Sequence, residues 1–171
     1  MENYTETQRL EELLKYEILD TPSDGAFDEI TSLTSKIFNV PIAIITLVDR
    51  DRIWFKSSFG IDGEQIPKAE GLCCSAILSD DVYIVEDARK DPRTISNPLV
   101  AGVLGLQFYA AAPLKSLRGF NLGTLCIIDK YPRTLTGKES SMLYQLSRIV
   151  MDHMDLKLET RQLVKEMRRT L

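Results

Sequence analysis

The chain has 171 residues, 44% of them hydrophobic and 27% charged, with a formal net charge of −4. That is enough apolar material for one filled core, and a single domain is the ordinary outcome at about 100 to 200 residues. The acidic balance offers no basic field to a phosphate backbone, so nucleic-acid binding is not expected.

From the N-terminus, Leu10, Leu13, Leu14 and Ile18 recur at helical spacing. Thr5 with Gln8 three residues later has the capping-box pattern, so a helix is expected from about Glu6 to Tyr16. Thr21-Pro22 interrupts it. Asp24 is a candidate N-cap for a second helix with Phe27, Ile30, Leu33, Ile37 and Phe38 on one face, ended by Asn39 and Pro41. Each helix has a single apolar stripe, so each is expected to cover something.

Ile42 to Val48 is β-branched and apolar at nearly every position, the pattern of a central strand buried on both faces. Asp49 to Arg52 makes a polar turn, and Ile53 to Phe59 returns as the second strand of a hairpin, broken by Gly60 and Gly63. A long excursion begins at Gly71 and carries a short strand at Val82 to Asp87. Phe108 to Leu114 and Leu122 to Asp129 then form a second hairpin. The expected fold class is α+β. It is a mostly antiparallel sheet of about five to six strands, with N- and C-terminal helices on one face and the excursion Gly71 to Leu106 roofing a pocket on the other.

Thr136 is placed to cap a last helix with Leu143, Leu146, Ile149, Val150 and Met154 on its apolar face. No Gly or Pro follows Gly137, so this helix is expected to run unbroken to Leu171, past the usual globular length of roughly 10 to 14 residues. Val150, Lys157, Val164 and Leu171 fall seven apart, a thin seam that predicts a parallel helical homodimer. Residues 1–155 read as the domain and 156–171 as an extension of its last helix.

The order of elements and the short words within them resemble the GAF domains that precede bacterial signalling outputs. The words are Arg9-Leu10, Tyr16 to Pro22, Phe27-Asp28, Val40 to Ala43, Trp54-Phe55-Lys56, Cys74 to Ile77, Asp91-Pro92-Arg93, Asn97 to Val100, Phe108 to Leu114 and Leu122 to Cys126. The resemblance covers about Arg9 to Asp155. It implies a regulatory module that binds a small molecule or a partner and passes its state along terminal helices to a histidine kinase, diguanylate cyclase or similar output. It names no ligand, since the family binds cyclic nucleotides, bilins, haem and small metabolites, and many members have none known.

Candidate ligand-binding residues follow from the expected roof and strands. Trp54 and Phe55 point to opposite faces of their strand, so only one can line the pocket. Cys74, Ile77, Val85, Asp87, Arg93 and Asn97 come from the excursion, and Phe108, Tyr109, Ala111 and Ala112 from the strand whose small residues leave room on both faces. The Arg93 fork suits phosphate or carboxylate; its structural role would be to pin the roof through Asp87 or Asp91. Asn97-Pro98 reads first as a turn.

Three cysteines, two of them adjacent, do not make a disulfide framework and are expected to be free thiols. No CxxC motif or Cys/His cluster accompanies them, so no metal is expected. A bilin-attaching cysteine in this family is typically followed by histidine, but the single histidine is His153, so neither bilin nor haem is expected. An N-terminus without basic and apolar regions, and the absence of any run near ~18 apolar residues, predict a soluble cytoplasmic chain without direct membrane contact. No catalytic constellation is present, and the chain is read as a non-enzyme. Two alternatives stand beside the sensory reading: a structural dimerisation GAF domain with a filled pocket, and a thiol enzyme like the free methionine sulfoxide reductases. A sizeable cavity under Gly71 to Leu106 would favour the sensory reading over the structural one.

Overall fold

The computed structural model describes residues 4–171. Helix α1 (Glu6–Lys15) opens on a complete capping box: Gln8 N–H donates to Thr5 Oγ1 at 3.2 Å, and Thr5 N–H to Gln8 Oε1 at 2.8 Å. Helix α2 (Gly25–Phe38) is capped by Asp24 and ends on left-handed Asn39. The strands are β1 (Ile42–Val48), β2 (Arg52–Phe59), β3 (Gln65–Pro67), β4 (Tyr83–Val85), β5 (Phe108–Lys115) and β6 (Asn121–Asp129). They form one six-stranded antiparallel sheet in the order β3-β2-β1-β6-β5-β4. Two short helices, α3 (Cys73–Ala76) and α4 (Pro98–Ala101), lie in the excursion, and α5 (Gly137–Thr170) closes the chain.

Strand alternation divides the core into two layers. Ala43, Ile45, Leu47, Trp54, Phe108, Ala110, Ala112, Leu114, Leu125 and Ile127 pack beneath α1, α2 and α5. Ile42, Ile44, Val48, Ile53, Tyr109, Ala111, Cys126 and Ile128 face the excursion. The α+β fold with helices on one face and a roof on the other is therefore the observed architecture.

The inward faces of the first two helices differ from the expected stripes. On α1 they are Arg9, Glu12 and Leu13, with Tyr16 just beyond, while Leu14 is exposed. Arg9 is only 1% exposed because its guanidinium donates to Val48 O at 2.7 Å and Leu122 O at 3.4 Å, binding α1 to β1 and β6. On α2, Leu33 and Ile37 are exposed, and Thr31, Thr34 and Ser35 are buried in their place. Those small hydroxylic residues fit close against β2, where the Thr31 and Ser57 hydroxyls lie 2.8 Å apart. The close fit continues at a bulge: Ile45 pairs with Ser57 and Thr46 with Phe55, leaving Lys56 between them unpaired. Lys56 and Ser57 thus share the helix face, and Lys56 Nζ donates to Thr21 Oγ1 and Pro22 O. Burial pushes the Lys56 pKa down.

Helix α5 runs 34 residues behind a capping box of Thr136 and Glu139. The Arg133 guanidinium just before it donates to the carbonyls of Phe38 and Asn39 at the end of α2, and its backbone N–H to Glu86 O in the roof. Further along, Tyr16 Oη donates to Asp155, Lys157 pairs with Asp24, Arg161 donates to Tyr16 O, and Lys165 pairs with Glu17. The helix has no break at residues 155 and 156, and its anchors to the domain reach Lys165. Val150 of the expected seam is spent on the core, with Leu143 beside it. Val164 and Leu171 of that seam are exposed, and Ile149, Leu156 and Leu163, with Met167 beside them, form an outward stripe at its flank. Among the described residues no helix is long and apolar enough to cross a membrane.

Candidate functional site

The excursion makes a second hydrophobic layer on the sheet. Leu72, Cys73, Ala76, Ile77, Ala88, Val100 and Leu106 press onto Ile44, Ile53, Tyr109 and Cys126. Side-chain amides hold it down. Asn97 caps α4 by accepting from Leu99 N–H and donates to Glu70 O at 3.0 Å, so it joins two parts of the roof. Asn121 on β6 donates to Ile77 O, Ser79 O and Asp80.

Between roof and sheet lies a cavity of about 40 Å³, bounded by Ile44, Ile53, Phe55, Leu104, Tyr109 and Cys126 among others. Its walls are almost wholly carbon. A buried water needs roughly 10 to 15 Å³, so the space admits a few atoms, and ligand pockets for drug-sized molecules are typically about 300 to 1,000 Å³.

Of the residues expected to line a pocket, the structure brings Phe55 and Tyr109 to the cavity wall. Trp54, Phe108 and Ala112 lie on the opposite face in the helix-covered core, as alternation requires. Ile77, Val85 and Ala111 belong to the roofed layer but do not border the cavity, and Cys74 sits half-buried at its margin with its thiol donating to Lys68 O. Asp87 pairs with Arg89 and Lys90. Arg93 is taken up by Asp91, donates to Ile84 O at 2.8 Å and stacks on the Tyr83 ring. Its fork therefore pins the roof from outside rather than reaching over the cavity.

The polar centre of this layer is one that sequence reasoning did not single out. Cys73 Sγ lies 3.2 Å from Tyr109 Oη, 3.4 Å from Thr46 Oγ1 and 3.5 Å from Thr124 Oγ1, while the two threonine hydroxyls are 2.8 Å apart. Cys126 lies on the same face of β6 as Thr124, two residues on, and borders the same cavity as Cys73. The thiol of Cys126 and then the Thr124, Thr46 and Tyr109 hydroxyls favour a negative sulfur at Cys73 against the opposing cost of burial. Its pKa is accordingly lowered, and that of Cys126 is raised by the neighbouring Cys73 sulfur and by burial. Burial likewise pushes the Tyr109 phenol up. The available signal was parity: Thr46 and Thr124 are polar residues inside otherwise apolar strands. Among the described residues no three His, Cys, Asp or Glu side chains converge as metal ligands.

The GAF domain family model matches residues 23–153. The chain belongs to the GAF family. A cyclic di-GMP phosphodiesterase of Pseudomonas aeruginosa is 42% identical over 135 residues, which are 78% of this chain and 23% of that protein. The chain thus spans under a quarter of that relative's length. Among solved structures, the GAF domain of an Acinetobacter phosphoenolpyruvate-protein phosphotransferase matches with a TM-score of 0.63 and 19% identity, over 89% of this chain and 95% of that one. A free methionine-R-sulfoxide reductase of Neisseria meningitidis, solved with its substrate, matches with a TM-score of 0.65 and 16% identity, over 94% and 96%. At these identities the likeness is of fold alone.

In this GAF domain the neighbouring alanines of β5 test the two layers separately. Ala112 lies beneath the helix layer, and Ala112→Leu is expected to cost about 1 to 3 kcal/mol through overpacking. Ala111 pairs with Tyr83 near the sheet edge, under a roof of short segments that shift more readily, so Ala111→Leu should cost less. Urea unfolding of both variants measures the difference. Equal losses would mean that the roof is as rigid as the helices.

Proposed function

We propose that this GAF domain is a cytoplasmic regulatory module, not an enzyme in itself, which forms a homodimer through its terminal helices and passes the state of its roofed face to a signalling output. The observation that carries this reading is α5. The helix is anchored to the core and to the α1–α2 connection, yet leaves Ile149, Leu156, Leu163 and Met167 facing outward at near-heptad spacing. Such a stripe is too narrow for a globular face and too apolar to leave in water. A relative named as a cyclic di-GMP phosphodiesterase, in which the matching region is under a quarter of the protein, supports a module that works beside other domains.

The size of the cavity favours a filled pocket over one shaped for a bulky ligand. A second reading, a small uncharged molecule beneath the roof, is favoured by the cavity itself and by the half-buried Phe55, Ile61 and Leu104 at its border. Native mass spectrometry of the purified chain, looking for a retained small molecule, tests that reading.

The dimer is tested by sedimentation at micromolar concentration. The wild-type chain is expected to sediment as a dimer, and Leu156→Glu with Leu163→Glu as a monomer of unchanged helix content. A monomeric wild type, or a double variant that still dimerises, would overturn the assignment of the stripe.

A further inference from the structure

We propose that Cys73 and Cys126 are an oxidisable thiol pair, which a hydroperoxide converts to an intramolecular disulfide that staples the roof to the sheet. The two residues come from elements far apart in the chain, and both thiols are free. Cys73 sits on α3 in the roof, and Cys126 lies mid-strand on β6 with Ile44 and Ala111 as its cross-strand neighbours. Both are buried, and both border the same cavity. In a layer otherwise built from carbon, the hydroxyls of Thr46, Thr124 and Tyr109 converge on the Cys73 sulfur. That arrangement marks Cys73 as the sulfur prepared to carry negative charge, and the thiolate is the reacting form.

The cavity beside it, at about 40 Å³, admits a molecule with the two heavy atoms of hydrogen peroxide. The Cys73 thiolate attacks one peroxide oxygen: the S–O bond forms, the O–O bond breaks, and hydroxide leaves. The sulfur has lost two electrons to the peroxide and, with the hydroxyl it has gained, is a sulfenic acid. The Cys126 sulfur then attacks it, so that the S–S bond forms, the S–O bond breaks, and water leaves with the Cys126 proton. Cys74 is the poorer competitor, since burial raises its pKa and its thiol is engaged with Lys68 O at the margin. The chemistry belongs to a single chain and does not depend on the dimer.

The test uses the full chain carrying Cys74→Ser, which leaves only Cys73 and Cys126. After near-stoichiometric hydrogen peroxide, alkylation in denaturant and trypsin digestion, the expected product is the peptide Ala69–Arg89 linked to Gly119–Lys130. It should be cleaved by dithiothreitol, and circular dichroism of the oxidised protein should be native. With Cys126→Ser in addition, the linked peptide should vanish and a dimedone adduct should appear on Cys73. Retention of both thiols, linkage only between chains, or oxidation of Cys73 to the sulfinic acid with Cys126 untouched would each overturn the proposal.

Discussion

Replacing Gly123 with alanine is expected to cost upwards of ~4 kcal/mol or to prevent folding, the range that single substitutions reach only through a specific steric or electrostatic failure. A Cβ on Gly123 would stand 1.8 Å from the Thr46 carbonyl oxygen and 2.8 Å from Leu47 Cα. Those atoms are backbone of β1, which is paired with β2 on one side and β6 on the other, so they cannot turn aside as a flexible side chain would. Relief requires β6 to leave the ladder at the sheet's centre. Soluble yield and urea unfolding measure the effect. A soluble variant with the wild-type midpoint would show that β1 and β6 part there at little cost.

Arg9→Ala is expected to cost about 2 to 6 kcal/mol, because it takes a donor from the buried carbonyls of Val48 and Leu122 at roughly 1 to 3 kcal/mol each. Arg9→Lys should recover little, since an ammonium cannot reproduce a fork that also holds Glu6 through two bonds. The same residue governs an acid limb. The Arg9 hydrogen bond holds the Glu6 carboxyl at about 2 against the opposing effect of burial, with Lys68 assisting. Its folded value lies below the unfolded one near 4.5, so its contribution is complete above that pH and is lost as pH falls towards 2. Glu6 is half exposed, which limits the contribution to less than ~1 kcal/mol. In Arg9→Ala this part of the pH dependence should shrink in unfolding curves to what Lys68 still supports.

The strands, the caps and the two-faced architecture were legible because they rest on local signals: alternation, β-branched runs, and Thr or Asp ahead of an apolar period. The face of α1 was not. A stripe drawn from leucines cannot include Arg9, whose burial depends on two carbonyls more than 35 residues away in the chain. Leu33 and Ile37 misled for the complementary reason, since close approach to β2 selects small Thr and Ser over larger apolar residues. The bulge at Lys56 shifts the parity of its strand, and a pattern of period two has no means of marking an extra residue. Alternation showed that only one of Trp54 and Phe55, and one parity of Phe108 to Leu114, could reach the cavity, but it could not say which; the structure selects Phe55 and Tyr109. Cys73 was passed over for its neighbour Cys74, because one turn of helix decides which thiol points inward and the sequence offers both.

Arg133 and Lys165 bracket nearly the whole of α5, so the helix has no hinge between its root and its last turn. It behaves as a stiff lever. With about 1.5 Å of rise per residue, the span from Thr136 to Lys165 is an arm of roughly 45 Å, and since it is tied to the domain along that length, a rotation of the whole domain by about 5° carries its tip through about 4 Å. Such a domain has no need to bend or melt its helix to be felt at a distance. A rotation too small to disturb any packed side chain at the base becomes, at the tip, a displacement approaching the gap of about 5 Å between adjacent strands of a sheet.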